Sequence, residues 1–264
     1  SVTIPEGVEC VGEMTFAGCS NLKSIIIPEG VKTIKALAFN NCIKLQRISI
    51  PDSVTFIGDN AFGKCSDATS IEIGSGLQEI DGVPFVGCYK VEYIEVDKKN
   101  PYYYSEGNCL IETQSKHLLK GCNNSVIPDG VTVIVGSAFN MCFKIKKIVL
   151  PDTVTEIGDY AFDRCTKLEE IVLSKNLVKI GDYGFSSCTS LKNIELPDSL
   201  TKIGMYSFSC CKSLTSLVIP KNVTEIPMGA FSECIYLENV VLHDEIKKLT
   251  AFSFERCLSL KSIT

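Results

Sequence analysis

Residues Leu150 to Val172 read L-P-D-T-V-T-E-I-G-D-Y-A-F-D-R-C-T-K-L-E-E-I-V, and this pattern returns every 23 residues along almost the whole chain. Its aromatic position is filled by Phe16, Phe39, Phe62, Phe85, Phe139, Phe162, Phe185, Phe208, Phe231 and Phe254, and a cysteine follows each one three residues later, from Cys19 to Cys257. A fixed period of this size marks stacked supersecondary units and not one globular core. Two further columns, such as Ile148 with Leu150 and Ile171 with Leu173, are spaced i, i+2 and rich in β-branched residues, which predicts a short strand with one buried face. Pro28, Pro51, Pro151, Pro197 and Pro220 follow that strand directly and stop its ladder.

A second apolar pair comes next, as in Val154 with Ile157. Then Gly58-Asp59, Gly158-Asp159 and Gly181-Asp182 lead into the aromatic position. Glycine suits a bend and aspartate suits a helix N-cap, so one short helical turn is expected to run toward each cysteine. A single unit is too small to bury its own apolar face, so its neighbours must cover it. The predicted fold is a repeat solenoid with parallel β-strands on one face and short helical turns on the other. At a strand spacing of about 4.8 Å, the ten copies would stack to roughly 50 Å.

Units such as Leu150 to Val172 resemble the BspA-like, or Treponema-type, leucine-rich repeat. The likeness covers two blocks, residues 1–96 and 127–264, within one continuous solenoid. It implies a protein-binding role in adhesion or host-protein recognition at a cell surface, or in a secreted protein. Neither end reads as a polar capping repeat, so a piece of a longer protein is expected.

Residues 97–126 interrupt the period, as an insertion at the strand end marked by Val96. Cys109-Leu110-Ile111-Glu112 and His117-Leu118-Leu119-Lys120 flank a polar tetrapeptide and read as a β-hairpin. Ahead of it lies Asn100-Pro101-Tyr102-Tyr103-Tyr104-Ser105, which resembles the start of hairpin islands in the same family. Such an island either seals the solenoid or uses Tyr102, Tyr103 and Tyr104 in recognition.

Fourteen cysteines would suit a disulfide framework, but ten share one column. Stacked side chains there lie about 4.8 Å apart with parallel Cβ vectors, which fits neither a disulfide nor tetrahedral zinc. Buried thiols packing against turn carbonyls are expected instead. Cys10 and Cys210 fall in columns of polar residues and should be exposed. Cys109 and Cys122 flank the hairpin and could pair.

The net charge is −5, from 26 basic and 31 acidic residues, and no basic run exceeds two, which argues against nucleic acid or an anionic membrane as the main partner. No apolar stretch approaches a membrane span. The two histidines, His117 and His243, lack a partner at ligand spacing, and no hydrolase, nucleotide-binding or zinc motif occurs. No catalytic residue, cofactor or metal site is expected.

The informative positions are the outward ones of each strand. Tyr93, Lys147 and Glu170 occupy one column; Glu95, Val149, Val172, Glu195, Val218 and Val241 occupy another. The two-residue period places both on the open strand surface. The valines form either a contact stripe or simply favourable strand residues. The expected function is a non-catalytic module that binds an extracellular or host surface protein through this face. The alternative is a structural spacer that presents another domain.

Overall fold

The computed structural model describes residues 1–264, which form two compact units, Ser1–Ser125 and Val126–Thr264. Each is a parallel β-solenoid in which one 23-residue coil stacks on the next. In the first unit Arg47–Ile50, Ser70–Ile73 and Tyr93–Val96 pair in parallel, with Ile48 beside Ile71 and Ile71 beside Ile94. A second row, Cys10–Val11, Thr33–Ile34, Phe56–Ile57 and Glu79–Ile80, runs alongside it. This row arises from the second apolar pair of each repeat; Val154 and Ile157 are its counterparts in the second unit.

The second unit repeats the plan, with its first row interrupted. Its first row consists of Lys147–Val149 paired with Glu170–Val172, and then Ser216–Val218, Asn239–Val241 and Ser262–Ile263. The intervening coil contributes no strand there, and Asn193 makes only a single bridge to Glu170.

The core of both units is a set of ladders. Phe162 and Phe185 stack with ring centroids 5.2 Å apart and planes 2° from parallel, and the other phenylalanine neighbours within each unit stack similarly. The coil spacing imposes this parallel arrangement. Full burial of an inner ring such as Phe162 or Phe185 stabilises the fold by roughly 1.5–3 kcal/mol.

The expected short helical turns do not form; no helix occurs in the chain. Two left-handed residues flank each aromatic position, such as Tyr160 (φ 57°) and Arg164 (φ 58°) around Phe162. A right-handed helix cannot run through such residues. Alternate amides instead leave the coil: Tyr160, Phe162 and Arg164 donate to the carbonyls of Asp182, Gly184 and Ser186, each at 2.8 Å. The amides between them close local i→i+3 turns, as when Cys165 donates to Phe162.

Aspartate does not cap a helix here. Asp159 accepts from the Asp182 amide at 2.8 Å, and Asp182 accepts from the Met205 amide at 2.7 Å, so each carboxylate brackets the next coil. Glycine before it answers a steric demand. A Cβ at Gly158 would lie 2.6 Å from the Gly136 nitrogen, so only glycine allows the coils to meet.

The cysteine column has its own ladder. Cys188 donates its thiol to the Phe162 carbonyl at 3.2 Å, and Cys211 and Cys234 do the same to Phe185 and Phe208. Burial pushes the Cys188 and Cys234 thiols well above their ordinary pKa. Cys10 and Cys19 are exposed, while Cys210 is only half-buried, with its sulfur 3.6 Å from the Glu233 carboxylate.

The island is a three-stranded antiparallel meander and not a lone hairpin. Tyr103–Glu106 pairs with Cys109–Glu112, which pairs with His117–Lys120. Gly107 and Asn108, at φ 56° and 57°, form the first tight turn in the left-handed region that a hairpin's twist favours. Cys109 and Cys122 are both buried, and their sulfurs point to different carbonyls, Gly107 and Asn108, each at 3.6 Å. The possible Cys109–Cys122 bond is therefore replaced by separate thiol contacts.

Candidate recognition surface on the strand face

Outward strand positions follow the pleat, so the apolar columns sink into the core and their neighbours emerge. In the first unit Tyr93 is exposed, and its hydroxyl donates to the Glu95 carboxylate at 2.6 Å. That hydrogen bond is the main reason the Tyr93 hydroxyl is held above its ordinary pKa. One coil back, Glu72 is paired with Arg47.

In the second unit Val149, Val172, Val218 and Val241 are all exposed, Val218 to 62 %. Parallel register sets Val149 directly beside Val172, and Val218 beside Val241. Lys147 and Glu170 form an exposed ion pair at 2.7 Å on the same surface. Glu195 stands between the two valine pairs, on the coil that contributes no strand. A cleft of about 710 Å³ opens there, and Glu170, Val172, Lys175, Glu195, Leu196 and Asp198 are among the residues that line it.

The tyrosine run divides in a way the sequence did not reveal. Tyr102 is exposed, Tyr104 is half-buried under Lys116, whose Nζ lies 4.9 Å from the ring centroid, and Tyr103 is buried. Tyr103 takes the Ile80 amide on its hydroxyl at 3.0 Å, so it serves the fold and offers no contact surface. Asn100 anchors the segment. Its amide nitrogen donates to the carbonyls of Gly74 and Leu77 at 3.0 Å, and its oxygen accepts from the Tyr102 and Tyr103 amides at 2.9 Å.

A second surface feature went unnoticed at the sequence level. Tyr160, Tyr183 and Tyr206 stack on the turn side with centroids 4.8 and 5.2 Å apart. Their 23-residue spacing was the available signal. No group of three or more histidine, cysteine or acidic side chains is placed to hold a metal ion. His243 is a turn residue, with Nε2 2.9 Å from the Pro220 carbonyl oxygen.

A family model described as the BspA type leucine rich repeat region, in six copies, matches residues 1–107, 115–212 and 155–264. The chain belongs to the BspA-type leucine-rich repeat family. Among solved structures it is similar to a leucine rich cell surface protein from Faecalibacterium prausnitzii, at 31 % identity and a TM-score of 0.79. That match covers 86 % of this chain and 61 % of the other, so this BspA-type chain spans less than two thirds of its relative. A leucine-rich repeat protein from T. pallidum is 33 % identical over 64 % of this chain and 83 % of its own, with a TM-score of 0.51. The pneumococcal vaccine antigen PcpA shares the fold, at 22 % identity and a TM-score of 0.75, over 92 % of this chain and 69 % of its own. No curated protein matches the sequence. No helix is long and apolar enough to cross a membrane.

Proposed function

We propose that this BspA-type chain is a non-catalytic protein-binding module that works at a cell surface or in a secreted protein. Its task is adhesion or recognition of a host or extracellular protein. The observation that carries this reading is the exposed valine pairs of the second unit, held in register on a stack of paired strands. Exposed apolar pairs bordered by polar side chains are costly to leave in water and commonly mark a contact site. The ladders beneath it fix the backbone, so little conformational entropy is lost on binding.

Tyr93 and Glu95 in the first unit, and Lys147, Val149, Glu170, Val172, Glu195, Val218 and Val241 in the second, are the residues assigned to it. Tyr102 and Tyr104 are secondary candidates on the island. The similarity to a cell surface protein of F. prausnitzii supports the location.

The test is capture of purified host matrix proteins by the immobilised chain, with Val172→Asp and Val218→Asp compared with the unaltered protein. Both variants should keep the far-UV spectrum of the parent and lose capture. Equal capture by folded variants would favour the spacer reading, in which removing a coil changes only reach.

A further inference from the structure

The strand face of the second unit carries a charge that its own neighbours leave unanswered. Among outward strand positions, Arg47 is paired with Glu72, Glu95 accepts from Tyr93, and Lys147 is paired with Glu170. Glu195 is the one charged residue in these columns with no hydrogen-bond or ionic partner, and the residues beside it in the next column, Glu170, Asn193 and Ser216, supply no cation. Lys175 lines the cleft but is tied to Asp152 at 2.8 Å, and Lys192, next to the cleft-lining Asn193 in the chain, is tied to Glu169 at 3.0 Å.

This carboxylate sits where the strand ladder is open. Asn193 holds its coil to Glu170 by one bridge, and the next three residues pair with neither neighbouring sheet. The resulting cleft is lined by Val172, Leu196 and Pro197 together with the carboxylates of Glu170, Glu195 and Asp198, and an exposed valine lies one coil away on either side. Phosphate-bearing partners are repelled by such a site, and its carboxylates are not grouped closely enough to hold a metal ion.

We propose that Glu195 and the cleft beside it form a socket for a lysine or arginine side chain carried on an extended segment of a protein partner. The cation's stem lies along Val172 and Leu196, as long basic side chains do on apolar surface. Residues two positions away on an extended segment are about 7 Å off, close enough to reach Val172 and Val218 at about 5 Å per coil. The inference rests on the strand-face reading and deepens it by naming the chemistry at the centre of the contact.

The experiment uses the intact chain and three synthetic probe peptides of alternating valine and threonine. They differ only at a central arginine, citrulline or glutamate. Binding is followed by amide NMR and fluorescence anisotropy. The arginine probe should bind about tenfold tighter than the citrulline probe, and Glu195→Gln should erase that difference. Raising the salt should shrink the preference, because the pair is partly exposed.

Equal binding of arginine and citrulline probes, no binding of either, or an arginine preference that survives Glu195→Gln would each overturn the socket. If the socket fails while Val172→Asp and Val218→Asp still abolish matrix-protein capture, the strand-face reading stands without it. If those variants also keep capture, the reading itself fails.

Discussion

The Cys188 sulfur lies 3.2 Å from the Phe162 carbonyl oxygen, one coil back, while that oxygen also accepts the Cys165 amide at 3.2 Å. One carbonyl thus closes its own turn and ties down the next coil. The cysteine column is a set of inter-coil bonds in which the thiol proton is the working part.

Cys188→Ala removes that donor and leaves a small void, and the expected loss is about 1–2 kcal/mol. The check is a urea titration, in which the midpoint should fall and the slope stay constant. An unchanged midpoint would mean that the sulfur merely fills space.

The same thiols predict a one-sided pH dependence. Burial raises the folded-state pKa of Cys188 well above 9.0, whereas an unfolded thiol ionises near that value. Above about pH 9 the unfolded chain therefore sheds a proton that the folded chain keeps, and stability falls as pH rises. Each such thiol contributes a slope of about 1.4 kcal/mol per pH unit. Cys188→Val should make the alkaline loss shallower by about that amount, measured by denaturation between pH 8 and about pH 10. Below pH 8 the thiols should contribute no pH dependence.

Two glycines separate steric crowding from backbone strain. Gly158→Ala forces a Cβ to within 2.6 Å of the Gly136 nitrogen and should cost about 2–3 kcal/mol. Gly130→Ala meets nothing within 4 Å but must hold a φ of 89°, at a cost of about 1–2 kcal/mol. Paired thermal melts should show the larger drop for Gly158→Ala.

Asn100→Ala removes four hydrogen bonds that seat the island. A loss of about 2–4 kcal/mol is expected. Hydrogen exchange should quicken first at the Tyr102 and Tyr103 amides. Protection unchanged at those amides would show that the meander seats itself without the asparagine.

The stacking direction and the outward columns were legible because a strict period leaves few alternatives. Residues recurring in step must lie over one another, as Phe162 does over Phe185. The turn side was not legible. An Ala-Phe-x-x-Cys segment has the same i→i+3 spacing in one helical turn as in consecutive turns. The left-handed residues that decide between them are ordinary ones such as Tyr160 and Arg164.

Glycine and aspartate misled for a related reason. Their role lies between coils and not within one, and local propensity is blind to contacts a full period away. Tyr103 was hidden likewise, since only the seating of the island turns its ring inward. The open ladder at Asn193 had no marker, because the first unit keeps its pairing with Glu72 and Glu95 in the same column.

The most direct measurement of the strand-face assignment is a hydrogen-exchange footprint of the chain bound to a matrix protein that it captures. Protection should appear over Glu170–Val172 and Ser216–Val218 and be absent at the Tyr160, Tyr183 and Tyr206 stack. Protection confined to the tyrosine stack or to the island would contradict the account.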